Sequence, residues 1–151
     1  MLPAIAYSIG TFIIAAILTC GYVLTRPIHR KDDMKSWRVL LLMFVLCFTG
    51  PYIYIEVMTR WHGPELEHAI NASYSELPLN GPMVYYKVRT FTSTNATVMV
   101  VANERLDWGG TDHPQVMINL ENHGKGWQTV SFKVLNSWRL NTESYVFPVY
   151  W

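Results

Sequence analysis

The residues best suited to chemistry lie together just after the second apolar segment of the chain. They are His62, Glu65, Glu67 and His68. Glu65 and His68 have the i, i+3 spacing that lets two side chains of one helix converge on a single metal ion. A dinuclear carboxylate site also needs a second such pair on a facing helix, and the sequence has none. His62, Glu65 and His68 are therefore candidate metal ligands, although the favoured interpretation makes them solvated residues of a connector.

Sequence motifs of other enzyme classes are missing. Both cysteines, Cys20 and Cys47, lie in apolar runs, so the remainder of the chain has no thiol nucleophile and no disulfide. No GxSxG elbow occurs, and Gly109-Gly110 lacks the strand and helix that flank a phosphate loop. The sequence therefore predicts a protein that is not an enzyme and holds no cofactor. A metal-dependent enzyme that uses His62 and His68 is the catalytic alternative.

Composition points toward lipid and away from nucleic acid. Only 15% of the residues are charged, whereas soluble domains average about 25%. The net charge is +1, which leaves no basic excess for binding phosphate backbones. We therefore expect a lipid bilayer as a partner and no nucleic acid.

Two apolar segments predict a transmembrane hairpin within residues 1–61, with helices at about 4–25 and 38–58. No charged side chain occurs between Ala4 and Thr25, and about twenty helical residues span a hydrocarbon layer of about 30 Å. The second segment is flanked by aromatic and basic residues typical of the membrane interface. Gly50-Pro51 within it predicts a kink or an early helix end.

The intervening loop, residues 26–37, sets the predicted orientation. Together with Arg38 at the start of the second helix it carries a cluster of basic residues, and such loops stay in the cytoplasm. Both termini would then lie outside, and the C-terminal domain would be periplasmic or extracellular. The basic residues are Arg26, Arg30, Lys31, Lys35 and Arg38.

Small residues and one carboxylate mark candidate contacts of the helices. Small side chains at i, i+4 spacing let two helix backbones approach each other closely. Glu56 is costly near a helix end unless it faces water or a partner, and pairing with Arg60 is the favoured interpretation. The small candidate contact residues are Ala6, Gly10, Ala16 and Cys20.

The remainder of the chain predicts a connector at 62–82 followed by a β-rich domain at 83–151. Alternating apolar residues, as in Val116, Ile118 and Leu120, are typical of half-buried strands. Several such runs separated by Gly and Asn turns favour a small antiparallel sandwich or open barrel. The fold class is therefore membrane α plus all-β.

The C-terminal segment, including Tyr150 and Trp151, is too aromatic to remain in water. An edge strand over Tyr145–Tyr150, contact with the membrane surface and contact with another subunit all stay open. Asn71 and Asn95 begin glycosylation acceptor triplets, which do not by themselves decide whether they are modified.

This layout resembles the plan of subunit II of haem-copper oxidases, in which a helical hairpin precedes an external β-sandwich. Those subunits hold a dinuclear copper between cysteines, histidines and a methionine, whereas this outer domain has no cysteine. Quinol-oxidising relatives also lack that copper. The resemblance therefore concerns architecture alone and implies no function.

The sequence favours a non-catalytic accessory or structural subunit of a larger membrane complex, such as a respiratory or photosynthetic one. Its partners would be other membrane-protein subunits, with lipid or pigment contact at the helices. The 14% aromatic content suits interface cores, and Trp108, Trp127, Trp138, Tyr150 and Trp151 are candidate interface residues. The alternative is a membrane-anchored envelope module that binds a small ligand, peptide or glycan in a groove formed by Tyr85, Trp108, Trp127 and Trp138.

Overall fold

The computed structural model describes residues 2–26, 36–124 and 126–144, and it divides into two compact units at Tyr54. Most of the predicted loop at 26–37, the predicted strand Tyr145–Tyr150 and Trp151 lie outside the described residues. The elements are α1 Leu2–Thr25, α2 Ser36–Glu76, β1 Met83–Phe91, β2 Asn95–Ala102, β3 Glu104–Arg105, β4 Thr111–Asp112, β5 Gln115–Asn122, β6 Trp127–Ser137 and β7 Thr142–Glu143.

The first unit is helical and ends at Ile53. One face of α1 is buried, and the buried residues recur at every fourth position, as expected for one face of a helix. The hydroxyls of the two threonines on this face donate to the carbonyls four residues earlier, so neither is left unsatisfied. The buried residues are Tyr7, Thr11, Ala15 and Thr19.

Tyr7 joins α1 to α2. Its hydroxyl donates to the Phe48 carbonyl at 2.6 Å, and its ring lies 5.1 Å from Phe48 and 6.0 Å from Tyr52. This bond falls in the turn before Pro51, where a missing N–H weakens the helix. The helix does not end at Gly50-Pro51 but continues through both residues to Glu76.

Both helices are long and apolar enough to cross a membrane. Their large apolar side chains are mostly exposed, including Ile9, Phe12 and Ile17 on α1 and Leu41 and Leu46 on α2.

The second unit contains one antiparallel sheet with the strand order β1-β2-β5-β6-β7 and a separate ribbon of β3 and β4. The predicted combination of helices and a β domain is confirmed. The sandwich or open barrel is not confirmed, since within the described residues a helix forms the layer packed on this sheet.

That layer is the C-terminal part of α2, which continues to Glu76 through the segment predicted as a connector. Leu66 and Ile70, one helical turn apart, are completely buried against sheet residues such as Val98 and Ile118. Burial of an apolar helix face stabilises the helix more than intrinsic propensity does. This packing explains why the helix persists beyond Gly63-Pro64.

α2 also covers the outer edge of β1. The Thr59 hydroxyl accepts the Val88 N–H at 2.9 Å, and Lys87 pairs with Glu56. Gly63 lies against the Tyr86 ring, since an added Cβ would come within 3.0 Å of the hydroxyl. Burial, and secondarily the charge of a nearby glutamate, raises the pKa of Tyr86. Covering an edge in this way prevents pairing with other chains.

A buried carboxylate holds the segment between α2 and β1 in place. Glu104 is 1% exposed and accepts the Asn80 N–H at 2.6 Å. Arg139 lies 3.4 Å from the same carboxylate and also donates to the Pro78 carbonyl. Gly81 packs so tightly that an added Cβ would lie 1.9 Å from the Asn103 carbonyl oxygen. We call this group the Glu104 clamp.

Candidate functional site

A cleft of about 600 Å³ opens between α2 and the start of β6. α2 contributes Glu65 and His68, and β6 contributes Trp127. The Trp127 indole N–H donates to the Glu65 carboxylate at 2.9 Å, which fixes both side chains across the opening. The other lining residues are Ala69, Asn122, Gly124, Gly126 and Gln128. We call this group the Glu65 cleft.

The turn before β6 shapes one wall of the Glu65 cleft. Gly124 and Gly126 have φ values of 78° and 121°, which residues other than glycine rarely adopt. The Asn122 side chain accepts the Gly124 N–H at 2.9 Å and so stabilises the turn. The wall therefore presents glycine backbone beside amide side chains.

Of the three predicted metal ligands, only Glu65 and His68 line this cleft. His62 stacks on Phe91 with the ring centroids 3.7 Å apart, and Phe91 in turn contacts Trp127 at 5.3 Å. Across the described parts of the chain, no three His, Cys, Asp or Glu side chains converge on a point that could hold a metal ion. The arrangement instead combines one carboxylate, one imidazole, two amides and an indole, which suits hydrogen bonding to a polar ligand.

Two further tryptophans, Trp108 and Trp138, lie exposed on turns. Trp108 precedes β4, Trp138 follows β6, and each is 70% exposed. Asp112 of β4 accepts the Trp138 N–H at 2.8 Å and therefore ties the turn that carries Trp138 to β4, the strand that follows the Trp108 turn. We call Trp108, Trp138 and Asp112 the tryptophan turns.

Glycines account for the shape of the first of these turns. Gly109 has a φ of 88°, and its N–H donates to the Leu106 carbonyl at 2.9 Å. The Trp108 ring lies over Gly110, where an added Cβ would come within 2.4 Å of the indole. The Gly109-Gly110 pair thus shapes the turn and leaves room for the Trp108 ring.

The structure does not bring the predicted aromatic groove into one place. Trp127 begins β6 and Trp138 follows its end, so about 35 Å of strand separates them. They line different cavities. Tyr85 lies on β1, where it pairs with Val101 of β2, and burial raises its pKa. Any ligand would therefore meet Trp127 without Trp138.

The predicted small-residue contacts lie off the buried stripe of α1. Ala6 and Cys20 are exposed, whereas Gly10 and Ala16 are partly buried. A Cβ added to Gly10 would meet nothing within 4 Å. The helix contact within the first unit thus involves the Tyr7 stripe instead, and a contact of Gly10 with another protein stays a prediction.

The ion-pair partner of Glu56 differs from the one that helical spacing predicts. Its carboxylate binds Lys87 on β1, 31 residues away, and not the predicted partner Arg60 one helical turn along. Glu56 remains 60% exposed in this ion pair.

Asn122 and Gln128 line the cleft although no sequence pattern marks them as functional candidates. The Asn122-His123-Gly124 sequence predicts a turn and nothing more. Its position beside Glu65 depends on contacts between distant parts of the chain. The aromatic enrichment did indicate Trp108, Trp127 and Trp138.

Comparison with known protein families, curated proteins and solved structures finds no match to this chain.

Proposed function

We propose that the protein is a membrane-anchored, non-catalytic subunit of a larger membrane assembly, such as an energy-converting complex, and that it contacts a partner through the tryptophan turns. The observation that carries this proposal is the 70% exposure of both Trp108 and Trp138, with the Trp138 turn tied by Asp112 to the strand that follows Trp108. Each tryptophan can bury about 150 to 250 Å². Tryptophan is also among the residues that contribute most to protein interfaces.

In this proposal α1 and the first part of α2 cross the membrane. Their length, their apolar composition and the exposure of their large side chains support this placement. The basic loop at 26–37 lies in the cytoplasm by the positive-inside rule. Both termini are then outside, and the β unit is periplasmic or extracellular.

The test is purification of the tagged full chain from its native membranes in mild detergent. We expect stoichiometric partner polypeptides with the unaltered protein and at least a severalfold loss of them with Trp108→Ala/Trp138→Ala. Val84→Ala removes a 54% exposed apolar side chain from β1 and serves as the control. A chain that purifies without any other polypeptide, or a double variant that keeps its partners, would refute the proposal.

A second candidate function is a membrane-anchored module that binds a small polar ligand, peptide or glycan in the Glu65 cleft. The observation in its favour is a volume of about 600 Å³ beside a fixed indole and carboxylate, which is within the range of small-molecule sites. Titration of the full chain with short oligosaccharides and cationic peptides, followed by the Trp127 indole N–H resonance, tests it. The resonance should shift on binding, and Glu65→Ala should abolish the shift. A resonance that no probe moves would leave only the first function.

A further inference from the structure

One exposed face of α2 changes from aromatic to polar along its length. Tyr54, Val57 and Trp61 lie on this face, because steps of three and four residues stay on one side of a helix. Glu65 and His68 continue the same face and are exposed. Tyr54 and Trp61 are 55% and 73% exposed, whereas the opposite face of this segment is buried against the sheet. The change in polarity therefore falls within one helical turn, between Trp61 and Glu65.

Such a change is typical of the boundary between a bilayer and water. Trp and Tyr side chains concentrate at the level of lipid headgroups, and long basic side chains extend from there toward water. Trp61 and the exposed Arg60 beside it provide both kinds of residue. A helix that enters the hydrocarbon layer near Arg38 crosses it in about twenty residues. Trp61 therefore lies close to the outer boundary in the membrane placement proposed above.

The Glu65 cleft then opens at the height of the lipid headgroups. Glu65 follows Trp61 by one helical turn, a rise of about 6 Å, and the headgroup layer on each side of a bilayer is about 5 to 7 Å thick. The cleft is thus within reach of the polar end of a lipid whose chains stay in the bilayer. Its volume of about 600 Å³ is large enough for such a headgroup.

The side chains that line the cleft suit a headgroup with both a positive and a negative charge. The Glu65 carboxylate accepts one N–H, from Trp127, and a carboxylate offers about four acceptor positions, so it can also bind an ammonium group. An indole beside the carboxylate favours a cation further. Asn122 and Gln128 provide amide donors for a phosphate. A headgroup that lacks an ammonium would instead bring a like charge to Glu65.

We propose, on the basis of the membrane placement and the ligand-binding function given above, that the Glu65 cleft binds the headgroup of an aminophospholipid in the outer leaflet. The ammonium group meets the Glu65 carboxylate, and the phosphate meets the amide side chains of Asn122 and Gln128. Because Glu65 belongs to α2 and Trp127 to β6, the bound headgroup links these two elements at the membrane surface.

The test uses the full chain in lipid nanodiscs and follows the Trp127 indole N–H resonance. Discs of phosphatidylglycerol alone are compared with discs in which phosphatidylethanolamine replaces it stepwise. We expect the resonance to shift and then saturate, while the Trp138 resonance stays unchanged, because Trp138 lines a different cavity. Glu65→Gln keeps an acceptor for the indole but removes the charge, so the shift should fall severalfold. Glu67→Gln, at an exposed position of the same helix, is the matched control and should leave the shift unchanged.

A second measurement tests the membrane placement independently of the ligand. In a Cys20→Ala/Cys47→Ala background, nitroxide labels are attached to Trp61→Cys or to Ala72→Cys, which lies further along the same exposed face. Their contact with lipid-soluble oxygen and with a water-soluble nickel complex is then compared. We expect the label at position 61 to contact lipid and the label at position 72 to contact water.

The two measurements distinguish failure of the headgroup ligand from failure of the functions proposed above. A label at position 61 that contacts only water would refute the membrane placement and the headgroup ligand together. If that label contacts lipid but only soluble oligosaccharides or peptides shift the Trp127 resonance, the cleft binds a soluble ligand and the headgroup alone is refuted. An equal shift in Glu65→Gln would also overturn the proposal. So would a shift that appears only after Lys125→Gln, a residue outside the described ones, because the chain's own lysine would then fill the cleft.

Discussion

The Glu104 clamp and the Glu65 cleft each centre on a glutamate that accepts an N–H from a distant part of the chain, yet the two carboxylates have different surroundings. Glu104 is 1% exposed and is enclosed by the Asn80 N–H and the Arg139 guanidinium. Glu65 lines an open cleft and is fixed by one indole N–H. A buried carboxylate needs every acceptor position filled, whereas a carboxylate in a cleft keeps positions free for a ligand. The Glu104 clamp therefore stabilises the fold, and the Glu65 carboxylate keeps acceptor positions that a ligand can use.

Gly81→Ala should cause the largest loss of stability, because it disturbs the backbone beside the clamp. The added Cβ would lie 1.9 Å from the Asn103 carbonyl oxygen, so the backbone must move. We expect a cost of about 3 kcal/mol, measured by denaturant unfolding of the full chain in detergent. Gly110→Ala is the control, since the atoms nearest to its added Cβ belong to the movable Trp108 ring. Equal costs at the two glycines would show that the clamp is not rigid.

Glu104→Ala should cost about 2 kcal/mol. It removes the acceptor of the Asn80 N–H and the partner of Arg139, and an unsatisfied buried donor is expensive. Arg139 is 37% exposed and can turn toward solvent, which keeps the loss below that of a fully buried ion pair. Glu104→Gln, which keeps an oxygen for Asn80, should lose less than half as much. If both variants unfold at the unaltered denaturant midpoint, the clamp does not contribute to stability.

The periodic parts of the sequence predicted the presence of the helices and of the β domain. Uninterrupted apolar segments indicated both helices, and the alternation at Val116, Ile118 and Leu120 correctly indicated one buried strand face. These features are local, because they depend on the 3.6-residue and two-residue repeats of helix and strand.

Features that depend on distant contacts could not be predicted in this way. Gly63-Pro64 reads as a helix break, and only the burial of Leu66 and Ile70 against the sheet accounts for the continued helix. The partner of Glu56 is 31 residues away, so helical spacing pointed to Arg60 instead. The Glu65 cleft likewise forms only because β6 lies close to α2, and no sequence motif predicts that contact.

Glu65→Ala should cost much less than Glu104→Ala, about 0.5 kcal/mol, because the Trp127 indole N–H can then bond to water. The change should instead appear locally, as a shift of the Trp127 indole N–H resonance in the NMR spectrum of the full chain. Ser75→Ala, on the exposed part of the same helix, is the control and should leave that resonance unchanged. A loss of stability as large as that of Glu104→Ala would contradict the distinction between a structural and an available carboxylate.

The Glu56–Lys87 pair extends the comparison to a carboxylate that is 60% exposed. Exposed ion pairs contribute little, so a double-mutant cycle of Glu56→Gln and Lys87→Gln should give a coupling of about 0.5 kcal/mol at low salt. At 1 M salt the screening length falls to about 3 Å and the coupling should vanish. Lys133→Gln, on β6, provides the matched lysine control and should show no coupling with Glu56→Gln. A coupling that survives high salt would mean that the Glu56–Lys87 pair stabilises the contact between α2 and β1 despite its exposure. The contribution of each carboxylate to stability would then no longer follow from how buried it is.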